Sequence, residues 1–152
     1  MAAAAAGLCL VSGGSSARIT AANVSQNLRA CLVTGPTGAQ EAPLVRGSWD
    51  GLRETAKNGK VNAQRFTVPD TKPDVALPFL NGVVQQQCEV IITAGGPMQA
   101  ATEAAARANP RQRFAIVGSP ATRPNITAVA AADGPAAKAA VVKLVTRLAA
   151  AE

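Results

Sequence analysis

The chain contains no histidine and no tyrosine. Histidine is the commonest general base and the commonest metal ligand. Its absence removes many hydrolytic and metal-assisted mechanisms at once, and it leaves any Ser or Cys nucleophile without its usual partner. Aromatic rings are scarce: three Phe and one Trp. So few rings make a poor surface for stacking nucleobases. Charged residues make up 16% of the chain, well below the roughly 25% of an ordinary domain. Acids are the scarcer sign, nine against fifteen bases, for a net charge of +6. The bases form no run or stripe along the sequence, so nucleic acid is not expected as a partner. The surplus reads as solubility with a mild attraction to anionic surfaces.

Apolar residues are plentiful, at 48% of 152 residues. That is enough for one domain with a true core, and too little chain for two. The opening, "MAAAAAGLCLVSGGSSA", is small and apolar and then rich in Gly and Ser. It is similar to the apolar region and exit of a secretory signal peptide, but no Lys or Arg precedes it. A disordered Ala-rich tail reads equally well. The run is shorter than the ~18 apolar residues a membrane span requires, so no integral span is expected. Leu8 stands before Cys9, where a lipoprotein anchor needs a small residue. Residues 1–28 are therefore set apart as a leader or tail, and the folded domain is expected over 29–150. An exported, extracellular or envelope location follows if the leader is a signal.

Past the leader, short apolar runs alternate with helical patterns. "ACLVTG" (30–35) fits a buried strand. Val45, Trp49, Leu52 and Ala56 then fall on one helical stripe. "VNAQRFTV" (61–68) is a second strand. Asp74 is placed to cap the next helix, with Leu77, Leu80 and Val84 inward and Pro78 in its first turn. "CEVIITAGG" (88–96) is the clearest strand. The helix over 97–110 opens on Pro97 and stops before Pro110. "RFAIVGS" (113–119) and "NITAVAA" (125–131) are strands. Asp133 caps a last helix with Val141, Leu144, Val145 and Leu148 inward. Alternation of this kind predicts an α/β fold: three layers, doubly wound, with a mainly parallel five-stranded sheet in the order 2-1-3-4-5, flavodoxin-like. The link between the last two strands is short for a parallel crossover, so the direction of the edge strand stays open.

In such a sheet, ligands bind beyond the C-terminal strand ends, at the switch in strand order. Three Gly-bearing turns fall there: "TGPTG" (34–38), "TAGGP" (93–97) and "VGSP" (117–120). Bare backbone and helix N-termini suit a ligand, although the same residues also simply make tight turns. No turn matches the phosphate-binding loop or dinucleotide patterns. No cofactor, metal or catalytic residue is expected, and of the carboxylates only Glu41 and Asp133 are placed to face the crevice. Cys31 and Cys88 begin neighbouring strands in the 2-1-3 order, so a disulfide between them competes with two buried thiols. A bridge would suit an exported protein and close a long loop worth roughly 3–4 kcal/mol.

The stretch "ACLVTGPTGAQEAPLVRGSWDGL", with "WDGL" (49–52), "CEVIITAGG", "AAARANPRQRFAIVGS", "NITAV" and "AADGPAAKAA", resembles the basic membrane protein (BMP) group of ABC-transporter substrate-binding proteins. The resemblance covers residues 30–149 and rests on order and spacing. It implies a type I periplasmic-binding fold, here a single N-terminal-like lobe, and a non-enzymatic protein that binds a small polar molecule such as a nucleoside or sugar. Several of the family's polar site positions are replaced. Gly35 stands for an Asp, Pro43, Leu44 and Val45 for Ser-Phe-Asn, Pro97 and Met98 for an aromatic, and Gly118 for another Asp. The ligand set this leaves is Thr34, Gly35, Thr37, Gln40, Glu41, Gly95, Gly96, Met98, Gly118, Ser119 and Asp133. The family binds between two lobes, so a single lobe implies a second wall from a homodimer or another partner. The alternative is a protein-interaction module on the same scaffold, with an apolar patch at Pro43, Leu44, Val45, Pro97 and Met98.

Overall fold

Strands form where apolar and β-branched runs sit between turn residues, and all of them run the same way. The computed structural model describes residues 27–36 and 42–151. The elements in chain order are β1 (Leu28–Thr34), α1 (Pro43–Ala56), β2 (Val61–Thr67), α2 (Pro73–Val84) and β3 (Val90–Ala94). A 3₁₀ turn (Gly96–Met98) then leads into α3 (Gln99–Ala108), β4 (Arg113–Val117), β5 (Ile126–Val129) and α4 (Gly134–Ala150). The sheet order is β2-β1-β3-β4-β5, parallel throughout. Of the leader predicted over 1–28, residues 1–26 lie outside the described residues, as does Cys9. Leu28 already pairs with Val61 in the sheet.

The alternation of strand side chains divides the core in two. Ala30 and Leu32 of β1 join Val45 and Leu52 of α1 and Val141 and Val145 of α4. Cys31 and Val33 point the other way, to Leu80 and Val83 of α2 and Ala101 and Ala105 of α3. Right-handed crossovers require this arrangement, because the sheet grows first to one side of β1 and then to the other. β3 is buried along its whole length. β2 is an edge strand and only half covered; its Arg65 lies over the Trp49 ring, 5.0 Å from the centroid.

Cys31 and Cys88 are joined by a disulfide, with their Cα atoms 5.9 Å apart. Cys31 is not the start of its strand but lies within β1, opposite Ile91, and Cys88 precedes β3. Four further expectations are corrected. The α2 cap position is held by Lys72, whose amide donates to Asp70 Oδ1, and Asp74 sits inside the first turn. Pro73 sets this start two residues early, because its fixed φ suits the first helical position. Pro78 consequently falls in the helix interior, and the inward stripe is Ala76, Leu80 and Val83, with Leu77 and Val84 at its margins. The helix over 97–110 is in fact a 3₁₀ turn carrying Pro97 followed by α3.

The direction of β5 is settled as parallel by the chain over 118–125. It crosses α3 without a helix of its own. Glu103 of α3 accepts from the Thr122 amide at 2.7 Å and its hydroxyl at 2.8 Å. Asn125 Nδ2 donates to the carbonyls of Ala106, Asn109 and Gln112. These bonds replace a crossover helix.

Candidate functional site

The strand ends bring four of the predicted glycines to one crest. Gly35 is buried just past β1, Gly95 and Gly96 follow β3, and Gly118 follows β4. Gly95 (φ 86°) and Gly118 (φ 73°) are left-handed, a conformation only glycine takes cheaply. Both amides are used by the sheet: Gly95 N donates to Val117 O and Gly118 N to Val129 O, each at 2.8 Å. The crest therefore presents bare backbone rather than a cup of free N–H groups. Ser119 is half-buried, and its hydroxyl donates to Gln99 Oε1 at 3.2 Å, tying the β4 turn to the start of α3. Gln99 is missing from the residues picked out by sequence. Its place directly after the Pro97 turn is the signal that would have found it.

Other predicted residues are turned away. Thr34 is 1% exposed and donates sideways to Phe66 O, with Thr67 Oγ1 3.4 Å off. Met98 is 2% exposed and packs in the α2–α3 core, so it offers no side chain to a ligand. The cause is the 3₁₀ turn, which rotates Met98 inward while Gly96 and Pro97 stay exposed. Its neighbour Thr93 is buried, with Thr102 Oγ1 at 2.7 Å; Thr102 in turn donates to Met98 O at 2.7 Å. Asp133 caps α4, accepting from Ala136 N at 2.8 Å. It opens not onto the crest but onto a groove of about 480 Å³ with Arg46, Asp50 and Lys138. Thr37, Gln40 and Glu41 lie outside the described residues.

The apolar patch expected at residues 43–45 and 97–98 does not form as such. Val45 and Met98 are core residues, and only Pro43 and Pro97 are exposed. Leu44 is half-buried over the β4 turn. A Cβ on Gly118 would meet Leu44 Cδ1 at 2.5 Å and Ala131 O at 3.1 Å. Leu44 thus covers one end of the crest. A separate apolar groove of about 360 Å³ lies between β2 and α2, lined by Phe66, Pro78, Phe79, Gly82 and Val83 among others. Phe79, 49% exposed, is the large apolar side chain left in the open there. Among the described residues no cluster of His, Cys, Asp or Glu is placed to hold a metal, and no helix is long and apolar enough to cross a membrane.

The fold is that of a single lobe of the periplasmic-binding type. A crystallised fragment named as a lipoprotein, from Peptoclostridium difficile 630, superposes with a TM-score of 0.65 at 16% identity, over 80% of this chain and 96% of that one. A solute-binding protein of an ABC transporter system from Aeropyrum pernix K1 gives 0.56 at 16% identity, over 66% of this chain and 28% of its own. At the level of sequence the likeness is more particular. The chain is 29% identical over 122 residues to the ABC transporter nucleoside-binding protein BmpA of Lactococcus lactis subsp. cremoris (strain MG1363), which bears out the resemblance to the BMP group. The match takes in 78% of this chain and 34% of the relative, so the chain spans about a third of that protein's length. No family model matches.

Proposed function

We propose that the chain is a non-enzymatic, exported solute-binding lobe that takes a small polar molecule, of nucleoside or sugar kind, on the strand-end crest. The observation that carries this is the pair of left-handed glycines at the ends of β3 and β4, beside the buried Gly35 of β1. Three adjacent strands thereby end in backbone free of side chains, at the switch in strand order where such sheets bind ligands. Gln99 and Ser119 supply an amide and a hydroxyl at the rim. BmpA is named as a nucleoside-binding protein, which motivates nucleosides as the first probes. The buried Cys31–Cys88 bridge suits an oxidising compartment.

One lobe forms one wall, so binding by the chain alone is expected to be weak, with Kd near 1 mM. Ligand at about 10 mM then stabilises the fold by roughly 1.4 kcal/mol. That raises Tm by about 3–6 °C for a domain of this size. Thermal melts against a nucleoside and monosaccharide panel test it, and an unchanged Tm across the panel rejects the proposal. A second reading is favoured by Leu44, which lies across the Gly118 turn where a ligand would sit. It makes the crest an interface with a second copy or partner. Leu44→Ser separates the two: it strengthens ligand binding in the first case and weakens self-association, measured by sedimentation velocity, in the second.

A further inference from the structure

The bases that look scattered along the sequence are gathered by the fold. Every strand starts at the end of the sheet opposite the crest, and α1, α3 and α4 finish there. This base carries Arg29, Lys57, Lys60, Arg107, Arg111 and Arg113, with Arg53 and Arg147 in the last turns of α1 and α4, against the carboxylates Glu54 and Glu89 among the described residues. Arg29 and Glu89 are linked through the Arg29 amide. On the remaining described surface, cations and carboxylates nearly balance: Arg123 pairs with Glu103 there, while Lys138 and Asp50 pair with Glu54 and Arg53 of the last α1 turn. The surplus charge of the described chain is therefore concentrated on one face.

Helix chemistry explains part of this. Lys57 caps the C-terminus of α1 and Arg107 lies in the last turn of α3, where cations offset the negative end of the helix dipole. Arg29, Lys60, Arg111 and Arg113 sit at strand starts and in turns, where no dipole asks for them. A cationic face attracts an anionic surface, each cation adding to the attraction until salt screens it.

We infer that the base of the lobe lies against an anionic lipid bilayer and holds the crest pointing away from it. Two observations favour lipid over nucleic acid. No ring is available there for stacking bases: Trp49 lies under Arg65, Phe66 and Phe79 line the β2–α2 groove, and Phe114 is buried. Residues 1–26, whose sequence opens with the apolar stretch MAAAAAGLCLV, also join the fold through Asn27, at this same end.

Co-sedimentation of the full chain with vesicles tests the proposal. The vesicles are either pure phosphatidylcholine or a 3:1 mixture with phosphatidylglycerol, on the order of typical anionic membranes. The chain is expected to bind only the mixed vesicles at low salt, and to leave them near 0.5 M salt. The double variant Lys57→Glu with Arg111→Glu should weaken binding by roughly thirtyfold or more. The double variant Lys72→Glu with Lys143→Glu makes the same change in net charge away from the base and should weaken it only a few-fold. These four positions are exposed, and thermal melts confirm that both variants fold. Three results overturn the proposal: no binding to the mixed vesicles at low salt, equal weakening by both doubles, or duplex DNA displacing the chain from vesicles at matched phosphate.

Discussion

At the scale of single residues, a chain of hydroxyls fixes the turn that carries Gly96 and Pro97. Each Thr hydroxyl has one proton. Since Thr102 donates to Met98 O, Thr93 must be the donor between the two threonines. Thr93→Val removes a donor and leaves Thr102 bonded. Thr102→Val strands the Thr93 hydroxyl in a buried site. Urea unfolding should show the second change costing about 1–3 kcal/mol and the first distinctly less. A second residue-scale pair is exposed. Lys138 Nζ lies 2.6 Å from Glu54, each side chain about half in solvent. Chiefly by that hydrogen bond, Lys138 holds the Glu54 carboxyl below its ordinary value, and Glu54 raises Lys138. The Glu54 share of stability is present above its unfolded pKa and is lost as pH falls through the lowered one. The Lys138 share is present below the usual lysine value and is lost as pH rises through the raised one. In Lys138→Met, an NMR titration should show the Glu54 carboxyl moving back up; no movement means the contact is absent in solution.

Among elements, the close approach of α1 to α4 is set by glycine. A Cβ on Gly51 would lie 2.7 Å from Lys138 O, and one on Gly47 would run into the Gly134 carbonyl. Gly82 in α2 has nothing within 4 Å of the same position. The same substitution should therefore have opposite signs. Gly47→Ala forces the helices apart at a cost of about 1–3 kcal/mol. Gly82→Ala stabilises by roughly 0.4–1 kcal/mol through the unfolded chain. Paired urea midpoints check this, and a shared sign contradicts the packing described. The elements themselves, and the order 2-1-3-4-5, were legible because short apolar runs alternate with stripes of helical spacing. The direction of β5 was not. It depends on Glu103 and Asn125 reaching bonds 13 to 19 residues away in sequence, and no local pattern records such partners.

For the molecule as a whole, the site was less legible than the fold. The glycine turns could be placed from their positions after strands, but not the rotation that buries Met98 or the sideways bond of Thr34. Both depend on packing that only the assembled layers impose. The disulfide is the main covalent restraint. Both sulfur-bearing residues are buried, Cys31 at 0% and Cys88 at 3%, so reductant should act only when the fold opens. With a sequence separation of 57, its loss should cost about 4 kcal/mol in the chain-entropy model. Urea unfolding of Cys31→Ala with Cys88→Ala measures it, and a midpoint equal to that of the parent chain contradicts it.

The same bridge has a consequence for durability. It encloses the return from β1 through α1, β2 and α2, including the buried Gly35 of the crest. A protease that cuts once anywhere inside that loop leaves two fragments still tied together, with Cys31 and Cys88 as the knot. Such a nicked lobe would run as one band on a gel without reductant and as two bands with it. Damage at the rim of the site need not release either half.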